Sequence, residues 1–323
     1  MQAAVYNKYG LPEVLKIEEV KKPILNDNEV LVKVYAVSIN DWDWGLLTGT
    51  PLANRFINGL QKPKRKILGS DIAGVIEAVG KNVKKLKIGD EVYGDISNYW
   101  GGFAEYVCAP ENAVELKSAE MTFEQAASIP QAGMLAAQGL IDKGEIKNGQ
   151  KILINGAGGG VGTFGVQIAK LYSAEVTGVD NSGKLEMMRL LGFDQVIDYT
   201  KEDFTKLNKK YDLILDTKTN RSVFKYIKVL NSKGKYVTVG GSTFRLLQVL
   251  IFSSLIKLIF KKHFRMVFLK MNKDLNYMNE LFESGKMRPV IDGNYELEEI
   301  RKAFEYYRKE NQKGKIVITV NDM

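Results

Sequence analysis

The stretch Ile152–Gly162 reads Ile-Leu-Ile-Asn-Gly-Ala-Gly-Gly-Gly-Val-Gly, and it decides how the chain folds. Its apolar, branched beginning predicts a buried parallel strand, and its glycines lead into a helical pattern over Thr163–Leu171. A strand, a tight turn and a helix N-terminus in this order bring bare backbone close to a pyrophosphate, because the free N–H groups and the helix dipole stabilise negative charge. The stretch therefore predicts a dinucleotide-binding turn.

The surroundings of this turn strengthen the prediction, because glycine-rich stretches also form ordinary turns. A second apolar run, Glu175–Val179, ends in Asp180, which lies 18 residues after Gly162. A dinucleotide fold places the acidic residue that binds the ribose at about this distance. We expect the turn to contact the cofactor through Ala157, Gly158, Gly159, Gly160, Val161 and Gly162.

Length and composition set the class of protein. A chain of 323 residues exceeds a typical single core, so two domains are expected, and 45% hydrophobic with 26% charged residues is typical of a globular protein. The single cysteine, Cys108, excludes an intramolecular disulfide and any multi-cysteine zinc site. Residues Met1–Tyr9 have no signal-peptide pattern, so a cytoplasmic location is expected.

The formal charge of +8 is concentrated in one segment. Residues Gly241–Lys273 contain seven Lys or Arg and no Asp or Glu, so the rest of the chain is nearly balanced and nucleic-acid binding is not expected. The apolar part, Leu246–Phe260, has 15 residues, fewer than the ~20 that span a bilayer. Residues 245–265 could make peripheral contact with an anionic membrane. The alternative is a helix that walls a substrate crevice or a dimer interface.

The order of patterns along the chain predicts an α/β protein with two domains. Short β-branched runs separated by turn residues predict an antiparallel, barrel-like domain over 1–121. Strands and helices alternate after Lys151, as in a doubly wound sheet. We therefore expect a dinucleotide-binding domain over 122–284, with a tail of about 285–323 that completes the N-terminal domain.

Five motifs follow one another at characteristic positions: Gly69–Gly80, Gly89–Gly94, Gly102–Tyr106, Asn155–Gly162 and Asp194–Tyr199. In this order they resemble the medium-chain dehydrogenase/reductase superfamily, and the likeness runs nearly end to end. Within the superfamily the sequence is similar to the zinc-free quinone oxidoreductase branch. The resemblance implies a GroES-like β-barrel domain joined to a Rossmann domain.

The resemblance also makes zinc testable. Zinc alcohol dehydrogenases have a cysteine ligand at the position that matches Asn40 and a histidine ligand at the position that matches Ser70. An amide and a hydroxyl are poor substitutes for thiolate and imidazole. We therefore expect no metal.

Without a Lewis acid, the resemblance implies an NAD(P)H-dependent enzyme that transfers hydride to a quinone or an α,β-unsaturated carbonyl. Negative charge then develops on the substrate oxygen and needs hydrogen-bond donors. Asn40 is the first catalytic candidate, because its matching position in the family lies beside the nicotinamide. The alternative is a turn asparagine that caps the helix at Asp41–Trp44. Relatives have a tyrosine where this chain has Gly45 and a threonine where it has Leu135.

The residues favour NADH and NADPH in different ways. Asp180 would accept hydrogen bonds from the ribose hydroxyls and repel a 2′-phosphate, which favours NADH. Lys184 and Tyr199 match positions that contact the 2′-phosphate in relatives, although a lysine at a helix start is also commonly solvated. The resemblance gives a slight preference for NADPH. The remaining candidate cofactor contacts are Asn40, Asn181, Ser182, Thr217, Gly240, Gly241 and Lys315.

Aromatic side chains could form a flat wall for a flat substrate, with Trp44, Tyr99 and Trp100 as candidates, or they could simply pack. Two other functions stay open at this stage. One is a reductase or dehydrogenase of simple aldehydes and alcohols, and the other is a cofactor-binding interaction protein without turnover. The resemblance further suggests a homodimer built along a sheet edge.

Overall fold

The computed structural model describes residues 1–321, which form two compact units. Unit 1 contains Met1–Gln131, Met271–Ser284 and the chain from Ile291 onward. Unit 2 contains Ala132–Lys270 and Gly285–Val290. The chain therefore leaves unit 1 twice, returns to it twice, and visits unit 2 in two segments.

The strands are β1 Gln2–Val5, β2 Lys16–Glu19, β3 Glu29–Ser38, β4 Asp71–Val79, β5 Glu91–Asp95, β6 Tyr106–Pro110, β7 Glu115–Leu116, β8 Lys151–Asn155, β9 Glu175–Asp180, β10 Gln195–Asp198, β11 Tyr211–Asp216, β12 Leu230–Thr238, β13 His263–Met266, β14 Ile291–Glu296 and β15 Lys315–Thr319. The α-helices are α1 Asp41–Thr48, α2 Ala53–Asn58, α3 Phe123–Ala127, α4 Pro130–Ala137, α5 Gly160–Lys170, α6 Leu185–Leu190, α7 Val223–Val229, α8 Thr243–Phe260, α9 Leu275–Glu283 and α10 Ile300–Arg308. A π-helical turn at Gln138–Lys143 and single 3₁₀ turns at Pro12–Val14, Glu111–Ala113, Ser182–Lys184 and Leu297–Glu299 complete the elements.

Unit 2 is built on a parallel sheet of six strands in the order β10-β9-β8-β11-β12-β13. This order is that of a doubly wound dinucleotide fold, and it confirms the α/β class expected from the alternating pattern. The strands end in register, because Asn155 pairs with both Val179 and Asp216, and Asp180 pairs with Asp198. The carboxyl ends of the central strands therefore lie along one edge of the sheet.

Unit 1 is built on a mostly antiparallel sheet in the order β14-β15-β3-β4-β5-β7, with β6 also paired to β3 and a separate β1-β2 pair. Within the described residues 1–321, β14 with β15 is the one strand pair of this unit that runs parallel. The core includes side chains from both ends of the chain, such as Phe103 and Phe304, whose ring centroids are 5.8 Å apart. The C-terminal segment is therefore an integral part of this GroES-like unit.

The boundaries between the units differ from the predicted ones. Residues 122–131 and 271–284 belong to unit 1, although we expected them in the dinucleotide-binding domain, and residues 285–290 belong to unit 2. Side-chain contacts explain the difference. Tyr93 donates a hydrogen bond to Asn279 Oδ1 at 2.9 Å within unit 1, and Gln167 Nε2 donates to the carbonyl of Arg288 at 3.0 Å within unit 2.

The basic segment also differs from expectation. Its helix, α8, begins at Thr243 instead of Leu246, and it is followed by the strand β13, which the sequence pattern did not predict. Strand β13 pairs in parallel with β12, placing His263 opposite Lys235. A strand of only four residues with a cationic composition has no clear period, so its pairing depends on the rest of the sheet.

Candidate functional site

The glycine turn of unit 2 joins β8 to α5. Gly156 adopts φ +82°, and Gly159 is the N-cap residue of α5, which begins at Gly160 and not at Thr163 as predicted. Helix geometry leaves the N–H groups of Gly160 and Val161 without intrahelical acceptors, and the positive end of the helix dipole adds to them. The start of α5 is therefore suited to an anion such as a diphosphate.

Two glycines in this turn have different surroundings. A Cβ on Gly162 would lie 2.4 Å from the carbonyl oxygen of Ala157, so only glycine lets the helix approach the turn this closely. A Cβ on Gly159 would have a single neighbour, the Gly156 carbonyl oxygen at 3.6 Å. The turn is thus tightly packed behind and open in front, as a bound diphosphate would require.

Asp180, at the end of β9, faces this turn. Its Oδ2 accepts a hydrogen bond from the N–H of Gly158 at 2.9 Å, and its Oδ1 accepts one from the N–H of Asn181 at 2.9 Å. Lys184 Nζ lies 3.5 Å from Asp180 Oδ1, and both side chains are buried. The alternative of a solvated Lys184 is therefore wrong. The two residues that favoured different cofactors form one ion pair, which offsets the negative charge of Asp180.

The other predicted cofactor residues of unit 2 lie at the same edge of the sheet. Tyr199 directly follows β10 and donates its N–H to the Asp180 carbonyl at 3.1 Å, while Thr217 follows β11 and donates its hydroxyl to the Asn155 carbonyl at 3.0 Å. A Cβ on Gly240 would meet nothing within 4 Å. Ligands of open α/β sheets bind outside the carboxyl ends of the strands. The remaining two groups follow β9 and β12: Asn181 with Ser182, and Gly241.

Two predicted residues, Asn40 and Lys315, lie together in unit 1. Asn40 is the N-cap residue of α1 and is only 6% exposed. Its Oδ1 accepts a hydrogen bond from Lys315 Nζ at 2.5 Å, and its Nδ2 donates to Ser70 Oγ at 3.4 Å. Asn40 therefore has the position that the capping alternative predicted, but its side-chain amide is part of a buried polar cluster.

Lys315, the first residue of β15, connects Asn40 to a buried carboxylate. Lys315 Nζ also donates to the Ile39 carbonyl at 3.1 Å and lies 3.9 Å from Asp71 Oδ2. Burial lowers the pKa of Lys315 and raises the pKa of Asp71. Asp71 Oδ2 accepts a hydrogen bond from the N–H of Gln131 at 3.0 Å, whereas its Oδ1 has no hydrogen-bond partner among residues 1–321.

Asp43 and Asp95 complete this cluster. The two Asp43 oxygens accept the N–H groups of Asn40 and Gly69 at 2.8 and 2.9 Å, and burial raises the pKa of Asp43 to about 7. Burial also raises the pKa of Asp95. Sequence reasoning assigned no function to Asp71 or Asp95. The available signal was an acidic residue at the end of a mostly apolar strand in two places, Asp71 opening β4 and Asp95 closing β5.

The aromatic wall is only partly compatible with the structure. Trp100 belongs to the hydrophobic core of unit 1 and is 5% exposed, as its packing alternative predicted, and its contact with a substrate stays a prediction. Trp44 is half-buried against the same core, with its ring 6.4 Å from that of Tyr307. Tyr99 is exposed. Sequence alone did not separate a packed indole from an accessible one.

Gly45, at the position where relatives carry a tyrosine, lies close to the Asn54 side chain. A Cβ on Gly45 would lie 2.5 Å from Asn54 Nδ2. Helix α1 therefore packs closely on the start of α2 at this residue, and no larger side chain fits without movement. Leu135 is half-buried in α4.

Comparison with known proteins agrees with this architecture. Residues 26–118 match the family model of the alcohol dehydrogenase GroES-like domain, and residues 191–318 match that of the zinc-binding dehydrogenase. The 2-methylene-furan-3-one reductase of Solanum lycopersicum is 34% identical over 330 residues, covering 98% of this chain and 79% of the relative. The chain belongs to the medium-chain dehydrogenase/reductase superfamily, in its quinone-oxidoreductase-like branch.

Two further known proteins are similar to this chain over nearly its whole length. The chloroplastic NADPH-dependent alkenal/one oxidoreductase of Arabidopsis thaliana is 34% identical, covering 98% of this chain and 79% of its own. The solved quinone oxidoreductase from Coxiella burnetii superposes with a TM-score of 0.86 at 28% identity, covering 99% of both chains. These similarities confirm the resemblance inferred from the spaced motifs, together with the GroES-like and Rossmann domains.

Asn40 and Ser70, at the positions of two zinc ligands in zinc alcohol dehydrogenases, lie beside each other in this protein, but they present an amide and a hydroxyl. Asn40 Nδ2 and Ser70 Oγ are 3.4 Å apart. Among residues 1–321, no group of three or more His, Cys, Asp and Glu is arranged to hold a metal ion. Cys108 lies in β6, away from Asn40 in sequence and on a different element.

Proposed function

We propose that this protein is a zinc-independent, NAD(P)H-dependent reductase of quinones or α,β-unsaturated carbonyls. The observation that carries the proposal is the glycine turn at the end of β8, packed tightly at Gly162 and open at Gly159. A bound nicotinamide would supply hydride. The names of relatives support the substrate class, since they include an alkenal/one oxidoreductase, a furanone reductase and quinone oxidoreductases.

The cofactor residues favour NADPH in this proposal. The N–H groups at the start of α5 would bind the diphosphate. Lys184 Nζ lies 3.5 Å from Asp180 Oδ1, so its charge would reduce the repulsion between Asp180 and a 2′-phosphate, and the ammonium would be a charged donor for that phosphate. One of the most similar relatives is named as NADPH-dependent, which supports the same choice.

Asn40 is the proposed donor to the substrate oxygen. Its carbonyl oxygen accepts from the Lys315 ammonium and one Nδ2 hydrogen is donated to Ser70 Oγ, so the second Nδ2 hydrogen is the one left to donate to a substrate. A charged donor on the carbonyl side polarises an amide and strengthens the hydrogen bonds of its N–H groups. A donor arranged in advance stabilises the enolate or hydroquinone oxygen that gains charge.

Zinc independence follows from the donor atoms. Zinc takes thiolate, imidazole or carboxylate ligands, and the amide of Asn40 and hydroxyl of Ser70 are weak ligands for it. Metal analysis of the purified protein is expected to give far less than one zinc per chain. Activity should also persist after treatment with a chelator. Stoichiometric zinc that is required for turnover would contradict this part of the proposal.

Substrate class is tested through NADPH absorbance, which should fall with quinones, enones or aldehydes as acceptors, and should rise when NADP⁺ is incubated with an alcohol that the enzyme oxidises. We expect turnover with quinones or enones. Turnover confined to aldehydes and alcohols would favour the alternative dehydrogenase. Tight NADPH binding without turnover of any of these compounds would favour the interaction protein.

We further propose a homodimer that forms along an edge of the unit 2 sheet. Strand β13 ends this sheet, and an edge strand has backbone groups available for pairing with another chain. Light scattering coupled to size-exclusion chromatography measures the mass directly. A monomer at all concentrations would contradict this proposal. The cytoplasmic location stays a prediction.

A further inference from the structure

Helix α8 presents an apolar surface to its surroundings. Large apolar side chains recur at spacings of three and four residues, which places them on one side of the helix. All are exposed, and Leu258 is 79% exposed. We call this set the outward face of α8: Phe244, Leu247, Ile251, Leu255 and Leu258.

The opposite side of α8 holds the helix on unit 2. Val249 and Ile256 are each 2% exposed within the hydrophobic core, and the ring of Phe252 lies 5.6 Å from that of Phe224. A helix packed on a globular core normally has a polar outer side. Here both sides are apolar, so the second apolar side requires a partner other than water.

Helix α8 is long enough to cross a membrane, but its packing on unit 2 favours an orientation along the membrane surface. By length and composition α8 is the one helix within residues 1–321 that could cross a bilayer, with a mean hydropathy of 1.7. Crossing would remove Val249 and Ile256 from the core of unit 2. Lying along a surface would bury the outward face and leave those contacts intact.

The positive charge of the segment around α8 indicates which kind of surface its outward face would bind. Residues 241–273 contain seven Lys or Arg and no Asp or Glu. Arg265 is used by an ion pair with Glu145 at 2.5 Å, and Lys262 donates to the carbonyl of Ile227. Lys257 and Lys261 are exposed at the C-terminal end of α8, beside the outward face. Cations beside an apolar face fit an anionic lipid surface.

We propose that α8 docks its outward face on the surface of an anionic phospholipid bilayer. A second copy of the chain is a poorer occupant. In a two-fold interface the same patch meets itself. Two outward faces packed on each other, unlike an edge-to-edge pairing of β13, would bring the cations Arg245, Lys257 and Lys261 of one copy near those of the other, and like charges oppose association.

An independent segment in unit 1 has the same character. Residues 45–69 contain five Lys or Arg and no Asp or Glu. Four large apolar side chains in or beside α2 are exposed: Leu52, Phe56, Ile57 and Leu60. Self-association through α8 would not explain this second combination of apolar and basic residues. Each segment by itself has the apolar and basic side chains that an anionic lipid surface attracts.

The proposal is tested by co-sedimentation of the full-length protein with phosphatidylglycerol/phosphatidylcholine vesicles. The apolar variant is Ile251→Glu combined with Leu258→Glu. Its matched control is Leu190→Glu in α6, where the leucine is 84% exposed. The charge variant is Lys257→Gln combined with Lys261→Gln, and its control is Lys84→Gln combined with Lys87→Gln, which changes two exposed lysines of unit 1.

We expect the wild type and both controls to bind these vesicles, and to bind less to pure phosphatidylcholine or in high salt. The charge variant should bind more weakly by about fivefold for each lysine removed. The apolar variant should lose at least as much. Thermal unfolding of each variant shows whether the protein remains folded.

Three results would overturn the proposal. The first is no binding of the wild type to anionic vesicles at low salt. The second is equal losses in the α8 variants and their controls. The third is vesicle binding that the apolar variant leaves unchanged while it abolishes self-association in sedimentation equilibrium, because the occupant would then be a second copy.

Discussion

Lys315 Nζ lies 2.5 Å from Asn40 Oδ1, across 275 residues of sequence. The Lys315 ammonium sets the orientation of the Asn40 amide, because an ammonium can only donate and therefore faces the carbonyl oxygen and not the Nδ2 group. The amide nitrogen is consequently oriented away from Lys315 and toward Ser70 Oγ, at 3.4 Å. The contact between β15 and the residue before α1 therefore orients the proposed donor to the substrate.

The first prediction separates the two ends of the Asn40 amide. Asn40→Asp keeps an acceptor for Lys315 but removes both N–H donors. We expect kcat for quinone or enone reduction to fall by about 10²–10³, the usual effect of losing one donor to a developing oxyanion. The dissociation constant of NADPH, measured by fluorescence titration, should change little. Ser70→Ala, which removes only a long contact, is the control, and an unchanged kcat in Asn40→Asp would show that another group is the donor.

The second prediction concerns the ion pair of Lys315 with Asp71. Lys315→Met leaves the buried carboxylate without its cation, so the free energy of unfolding should fall by about 3–5 kcal/mol. Adding Asp71→Asn should recover part of this loss, because the variant then buries one carboxylate fewer without a cation beside it. Urea unfolding of the two single variants and the double variant measures the coupling. Strictly additive losses would mean that the pair is not coupled.

The third prediction is a pH dependence caused by Asp43. Burial raises its pKa from the ordinary 3.8 to about 7, so the folded state holds the proton more tightly than the unfolded chain. The stability contributed by this group is therefore complete below pH 4, falls as the pH rises to 7, and is constant above. The change over this range is on the order of 4 kcal/mol.

Asp43→Asn should lack this change. Its stability relative to the wild type should improve steadily between pH 4 and 7, even though the amide leaves one of two backbone N–H donors unsatisfied, at a cost of about 1–3 kcal/mol. Urea unfolding at several pH values gives the comparison. Parallel stability curves for the two proteins would contradict the raised pKa.

The fourth prediction uses the two glycines of the turn as a matched pair. Gly162→Ala places a methyl group 2.4 Å from the Ala157 carbonyl oxygen, so stability should fall by about 1–3 kcal/mol together with NADPH affinity. Gly159→Ala adds a methyl group in front of α5, with only the Gly156 carbonyl oxygen nearby at 3.6 Å. It should leave the melting temperature of the free protein unchanged and weaken NADPH binding about tenfold. Normal NADPH binding by Gly159→Ala would place the diphosphate elsewhere.

The fifth prediction tests cofactor choice at Asp180 and Lys184. Lys184→Met should weaken NADPH binding more than NADH binding, because the 2′-phosphate loses a charged donor while Asp180 loses its counter-ion. The double variant with Asp180→Asn restores charge balance and should recover NADH binding without recovering NADPH binding. Calorimetric titration with both cofactors measures the four affinities. Equal losses for the two cofactors would show that the lysine does not contact the 2′-phosphate.

Much of the fold could be predicted because its signals are local. The branched run and glycines of Ile152–Gly162 predicted the strand and the turn. The glycines nevertheless concealed the first turn of α5, since their own helix propensity is low. Strand β13 was missed because four residues carry no period, and the unit boundaries were misplaced because contacts such as Tyr93 with Asn279 join distant parts of the chain.

By itself, the sequence determined the order of the domains and the position of the glycine turn, because spacing and periodicity are properties of neighbouring residues, and its spaced motifs carried the resemblance to the family. Only the tertiary structure decided that Lys315 holds Asn40, that Lys184 neutralises Asp180, that Trp100 is packed in the core, and that α8 directs five apolar side chains outward. Each of these depends on burial and on contacts between elements. Burial also determines which side chains form ion pairs, hydrogen bonds or apolar contacts with one another, and no local sequence pattern specifies those partners.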